Sequence, residues 1–288
     1  MLKRSLRAML WSLPRKIFAL ATYALPNFRG LGRLYRYANN FFNSMGAPPV
    51  ALARMRDGTT LLVDLRSLIE VQAYYRGEYD TKLLFACKQL YDTSTYFIDV
   101  GANVGFYSVA ISQYIRSTNS SGRVIAFEPH PANFARLNEN LELNNLYSIC
   151  DCFQLGLSDC AGRLTLVMRE DFVRGSETEN ASIATTPDFD EGFNSVEVDV
   201  ATLDAYLHDR FKGVSVGFIK VDIEGHEDFF LAGAIEPLAK HRPLILLEVN
   251  KPFYKARGVD VDDVLLPKIP ERYAICRFQT RQCIKYLS

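Results

Sequence analysis

Short apolar runs, each closing on an acid or a glycine, alternate along this chain with stretches whose apolar residues fall three and four apart. The runs read as buried strands and the spaced stretches as helices packed over them. Tyr96–Gly105, YFIDVGANVG, is the clearest case: Phe97, Ile98 and Val100 suit a buried parallel strand, and a helix begins at Val104. Gly122–Pro129 reads as a second strand, and residues 131–144 as a helix with Phe134, Leu137 and Leu141 on one face. Ile149–Leu157 reads as a third strand, Phe218–Val221 as a fourth and Pro243–Asn250 as a fifth. Ahead of them, two alternating runs between Val50 and Asp64 meet across Asp57-Gly58, a hairpin signal, and residues 67–90 look helical with a break at 76–79. Arg163–Met168 and Val196–Val200 add strands, Thr202–Leu207 a short capped helix, and Tyr273–Phe278 with Cys283–Leu287 a closing hairpin. The alternation predicts an α/β fold around a parallel sheet. It divides into an N-terminal extension (1–49), a hairpin and helical lead-in (50–90) and a main domain (91–288).

Charge changes this picture at one end. Residues 1–56 hold ten Lys or Arg and no acid, which leaves 23 basic against 33 acidic side chains in the remainder. An acidic body disfavours nucleic acid and favours a small molecule or a neutral polymer such as a glycan. In residues 1–26, Leu2, Leu6, Met9, Leu10 and Leu13 share a helical face opposite Lys3, Arg4 and Arg7. The apolar run Ile17–Leu25 is too short to span a bilayer. This segment is therefore expected to lie on an anionic membrane surface, to act as a transit peptide, or to pack on its own domain or a partner subunit. Six cysteines without zinc-type spacing suit a reducing, cytoplasmic compartment.

The chemistry concentrates after the strands. A dinucleotide site expects G-x-G-x-x-G, but the middle position here is Asn103, between Gly101 and Gly105, and Asp99 precedes the turn. An acid here would repel pyrophosphate and accept from an ammonium group, while the free N–H groups of the helix start would hold a carboxylate. Together they fit the amino-acid part of S-adenosylmethionine. Glu128, closing the second strand, suits both ribose hydroxyls. Ser158 and Asp159, after the third strand, are candidates beside the adenine. FIKVDIEGHE places Asp222, Glu224, His226 and Glu227 within six residues. His226 has the pKa range of a base, Asp222 or Glu224 could orient it, meet substrate hydroxyls or hold a divalent cation, and Glu227 suits a helix start. Glu78 and Tyr79 are candidates to close over the cofactor. The polar stretch 170–192 is long enough for a lid or substrate loop.

FIDVGANVGFYS, VIAFEPHPANFARLNENLELN, GLSD, Asn180-Ala181-Ser182, VDVATLD, IKVDIEGHE and LEVN occur in that order between about Gly77 and Asn250. In these motifs the chain resembles FkbM-type methyltransferases, a class I family dependent on S-adenosylmethionine. The resemblance implies a Rossmann-like, mostly parallel sheet with a C-terminal antiparallel strand, and O-methylation of a sugar or other small molecule. By position, Asp99, Gly101, Asn103 and Gly105 would hold the methionine part, Glu128 the ribose, and Asp222, Glu224 and His226 the chemistry. Two rival readings are a non-catalytic binding protein that keeps the fold and docks through its basic N-terminus, and a nicotinamide-dependent oxidoreductase. The intact acids speak against the first and Asp99 against the second. The acceptor, a metal requirement and the oligomeric state stay open.

Overall fold

The computed structural model describes residues 2–168, 181–184, 193–211, 213–271, 273–279 and 284–287. Helices α1 (Leu2–Ala24) and α2 (Leu31–Ser44) precede a hairpin of β1 (Val50–Arg54) and β2 (Thr60–Asp64). Helices α3 (Leu68–Arg76) and α4 (Thr81–Leu90) follow, separated where the sequence breaks. Then come β3 (Tyr96–Val100), α5 (Phe106–Ser117), β4 (Arg123–Phe127), α6 (Pro131–Leu143) and β5 (Cys150–Phe153). The remaining strands are β6 (Gly156–Leu157), β7 (Gly162–Met168), β8 (Ala181–Ile183), β9 (Asn194–Ala201), β10 (Val216–Val221), β11 (Leu244–Val249), β12 (Cys276–Gln279) and β13 (Ile284–Leu287).

Seven strands form the central sheet in the order β12-β13-β11-β10-β3-β4-β5. All its pairs are parallel except those of β13, which runs antiparallel to both neighbours. The apolar runs sit in the middle because a parallel strand covered on both faces must be apolar at every position. Phe97, Val124, Ala126 and Phe218 pack with the hairpin and α3–α6, while Ile98, Ile125, Phe127 and Ile219 pack with Tyr206 and Phe230 on the other face. That is the period of two expected of a strand. From β3 the chain builds outward through β4 and β5, then returns to lay β10 on the opposite side of β3. The crevice beyond the carboxyl ends of β3 and β10 is therefore the place where such a sheet opens for a ligand.

The third predicted strand proves to be two. Leu155 N–H donates back to Phe153 O at 3.0 Å, which turns the chain out of the central sheet. Gly156-Leu157 then pairs with β9 in a second sheet, ordered β6-β9-β7-β8. The apolar residues on either side of Gln154 hide that turn in the sequence pattern. The 170–192 stretch, expected as a lid, lies outside the described residues except for 181–184, where β8 pairs with β7.

Helices α1 and α2 pack on α3. Thr22 Oγ1 donates to Tyr75 O at 3.1 Å, and Arg76 donates to the carbonyls of Thr22 and Leu25 and to Asn27 Oδ1. Among the described residues, no helix is long and apolar enough to cross a membrane.

Candidate active site

The turn after β3 is shaped by its neighbours. Gly101 and Ala102 both donate their N–H to Phe127 O, each at 3.0 Å, drawing the turn over the tip of β4. Gly101 has φ +75°, and a Cβ there would stand 2.0 Å from Asp222 O, so the tip of β10 rather than a ligand demands glycine. Gly105, at φ +93°, lets α5 lie close to Leu137. Helix α5 starts at Phe106, two residues later than the pattern predicts, because Gly105 occupies the cap position; no side chain caps this end. Its first-turn N–H groups have no intrahelical partners.

Asn103 links the two strand tips, its N–H donating to Glu128 Oε2 at 2.8 Å. His130 N–H donates to Glu128 Oε1 at 2.9 Å. Burial pushes the Glu128 carboxyl up to about 7, and these two backbone donors hold it from rising further. Glu128, Gly101 and Asn103 all line one hollow, and Asn103 Oδ1 is buried without a hydrogen-bond partner.

Asp99 is not among the residues that line that hollow. The residue is fully buried. Its Oδ2 accepts from Ser108 Oγ at 2.6 Å, and its Oδ1 faces Lys220 Nζ at 3.4 Å. Lys220 is what the sequence reading missed. Its ammonium donates to Gly101 O at 3.0 Å and stands 3.6 Å from Asp222 Oδ2. Burial opposes its charge, but Asp99, Asp222 and Glu248 outweigh burial and hold it firmly protonated. A lysine inside the apolar run FIKV was the available signal, since lysine is almost never buried without a partner.

The turn after β10 carries the acids. Asp222, Glu224 and His226 all line the hollow. Glu224 adopts φ +50°, a conformation uncommon for any residue but glycine, and Asn250 Nδ2 donates to its Oε2 at 2.9 Å. Burial first, and Asp222 second, push its carboxyl up. His226 is driven down to about 4 by burial, stacks on Phe229 at 4.5 Å, and has its Nε2 2.9 Å from Ser158 Oγ. Glu227 starts the next helix, accepting from Gly225 N–H at 3.0 Å and Tyr254 OH at 2.5 Å.

Ser158 and Asp159 border an adjoining depression with Cys160, Arg163 and Phe229, which shares Ile183, Val200, Glu224 and His226 with the main hollow; Gly156 and Leu157 line the main hollow itself. The chain leaves the central sheet at Leu155. Tyr79 lines the hollow, stacked on Phe106 at 4.0 Å, whereas Glu78 is drawn off by Arg56 at 2.6 Å. Leu166, Ile183, Val198 and Val200 of the second sheet supply an apolar wall that the pattern alone did not place. Among the described residues, no group of three His, Cys, Asp or Glu is arranged to hold a metal ion, and Cys150, Cys152, Cys160 and Cys276 are free thiols.

This strand order, with a glycine turn and an acid on adjacent strand tips, defines a class I methyltransferase fold. The family model described as "Methyltransferase FkbM domain" matches residues 99–273, and the chain belongs to that family. It is 28% identical over 172 residues to "Methyltransferase sdnD" of Sordaria araneosa, covering 50% of this chain and 62% of that protein. It is 27% identical over 150 residues to "Methyltransferase 1" of Beauveria bassiana, covering 48% of this chain and 58% of the other. The chain thus spans about three fifths of the length of these relatives. Among solved structures, the FkbM methyltransferase of Methylobacillus flagellatus shares 18% identity at a TM-score of 0.43, over 75% of this chain and 52% of that one.

Proposed function

We propose that the hollow binds S-adenosylmethionine and that the chain methylates a hydroxyl oxygen of a small molecule or glycan. The observation that carries this reading is the bond from Asn103 N–H to Glu128 Oε2, which fixes a ribose-type acid beside an uncapped helix start. The buried, unpartnered Asn103 Oδ1 fits a site that awaits a donor. Asp99 and Asp222 flank the ammonium of Lys220, and Glu128, Asp222 and Glu224 line the hollow with it, a balance that favours a cationic ligand over a pyrophosphate.

Glu128 would accept from the ribose hydroxyls, and the first turn of α5 would receive the carboxylate of the methionine part. When bound, the cofactor supplies an electrophilic methyl group. The chain's own contribution is to position the acceptor oxygen and take its proton. Glu224 suits that proton better than His226, whose Nε2 already meets Ser158 and whose burial lowers its basicity. Asn250 holds the Glu224 carboxyl in place.

The test is calorimetry with S-adenosylhomocysteine and with NAD, followed by incubation with methyl-labelled cofactor and a panel of hydroxylated acceptors. Binding of the first ligand alone is expected, and Glu128→Ala should weaken it by about 1–3 kcal/mol. Label should appear as alkali-resistant methyl ether. Equal affinity for NAD, or an unaltered affinity in the variant, would overturn the cofactor assignment; label only in alkali-labile ester would overturn the hydroxyl acceptor.

A further inference from the structure

Helix α1 is inside out for a helix at the surface of a water-soluble domain. Its inward face carries Arg15 at 2% exposure, Ala19 at 8% and Thr22 at 1%, with Phe18 packed beside them on Phe42 and Tyr75. Arg15 donates through its two terminal nitrogens to Pro48 O and to Asn43 Oδ1, both at 2.5 Å, so this side of the helix is held by polar contacts. The opposite face carries Leu10, Leu13, Ile17 and Leu20 at 65%, 63%, 59% and 72% exposure. An amphipathic helix normally buries its apolar stripe, and here the stripe is the side left outside.

Helix α2 buries an apolar face, Leu31, Tyr35 and Phe42 with Asn39, yet leaves a second apolar stripe, Leu34, Tyr37 and Phe41, exposed. Trp11 and Phe41 meet edge to face at 5.7 Å, so the two exposed stripes adjoin. The bonds from Arg15, Thr22 and Arg76 pin both helices to the body and prevent α1 from rolling its stripe inward.

Charge decides what such a face meets. The ten Lys and Arg of residues 1–56 have no acid among them, and Lys16, Arg29, Arg33 and Arg36 are exposed around the stripes. Apolar side chains between basic ones match the acyl boundary and headgroups of an anionic bilayer. A protein partner would need an acidic rim, whereas a second copy would bring the same basic charge against itself. We propose that the outer faces of α1 and α2 form an in-plane docking surface for an anionic lipid bilayer, holding the body at the membrane without crossing it. This surface is separate from the hollow and stands whether or not the methyl-transfer reading holds.

The test pellets the full chain with sucrose-loaded vesicles of phosphatidylcholine alone or with about 30% phosphatidylserine, at low and raised salt. Partitioning onto anionic vesicles is expected to exceed that onto neutral ones by at least tenfold and to fall with salt. The double variant Ile17→Glu/Leu20→Glu should lose at least tenfold in partitioning, and Arg33→Glu/Arg36→Glu should lose the preference for anionic lipid. All four positions are exposed, so an unchanged unfolding temperature shows that each variant still folds. Failure of the unaltered chain to pellet with either vesicle would overturn the proposal, as would equal pelleting with both. A dimer that Ile17→Glu/Leu20→Glu dissolves, without vesicle binding, would assign the face to a second copy instead.

Discussion

At the scale of single residues, two groups carry most of the consequence. Lys220 is the cation that keeps the buried Asp99 and the neighbouring Asp222 compatible with a packed strand end. Removing one partner of a buried ion pair leaves the other charge uncompensated, so Lys220→Met should destabilise the fold by about 3–5 kcal/mol in urea denaturation. Adding Asp99→Asn should recover part of that loss, because the stranded charge is then gone; an unmoved urea midpoint in the single variant would show that the lysine has no such task. Glu224 makes the complementary case for chemistry. Its side chain lines the hollow while Asn250 fixes it, and its backbone sits at φ +50°. Strain of that kind persists where surrounding structure imposes it, often at a working site. Glu224→Gln keeps the shape and the bond from Asn250 but cannot accept a proton, so labelled ether should fall by about two to four orders of magnitude with cofactor affinity nearly unchanged. Full turnover in that variant would move the base elsewhere, with His226→Ala the next variant to measure.

At the scale of elements, the glycines separate by what stands opposite them. A Cβ at Gly101 would meet the Asp222 carbonyl at 2.0 Å with φ at +75°, whereas Gly162 has open space and no such backbone constraint. Gly101→Ala should therefore cost about 2–5 kcal/mol, strain and overpacking together, and Gly162→Ala close to nothing, both read from chemical denaturation. Equal costs would mean that the tips of β3 and β10 can separate freely. The same two tips show what the sequence made legible. Phe97-Ile98 and Val124–Phe127 could only be buried parallel strands, and the acids closing them marked the crevice. The neighbour of Asp99 was not legible, because a strand pattern shows that a residue is buried without showing what is buried beside it; its partner Lys220 comes from a strand 121 residues later. The break between β5 and β6 was not legible either, because the turn at Leu155 is made by a backbone bond that leaves no mark in side-chain pattern. In α1 the stripe itself was readable, but which side faced inward depended on Asn43 and Pro48, reached only through tertiary packing.

At the scale of the whole molecule, buried titratable groups tie stability to pH and to ligand. Glu128 and Glu227 both have carboxyls pushed up to about 7, chiefly by burial, from an ordinary value of 4.5. A carboxyl that binds its proton more tightly when folded stabilises fully below the unfolded value, and that contribution is lost as pH rises through the folded one. His226, lowered to about 4 from 6.5, acts in the opposite sense, since its contribution is complete above 6.5 and is lost as pH falls toward 4. Above pH 6.5 the raised carboxyls dominate: Glu128 and Glu227, and with them Glu224, pushed up to about 8 by burial and by Asp222, while His226 contributes only a small opposite change. Raising pH from about 6.5 to about 8 should cost the ligand-free chain about 2–3 kcal/mol, seen as a falling unfolding temperature. Saturating S-adenosylhomocysteine should remove part of that fall, because a Glu128 engaged with ribose hydroxyls is already ionised while Glu227, tied to Tyr254, is untouched. By the same linkage, ligand affinity should rise with pH and level off above about 7. Parallel slopes with and without ligand would detach Glu128 from the ribose, and a rising unfolding temperature across the window would show that these carboxyls stay ionised in the folded protein.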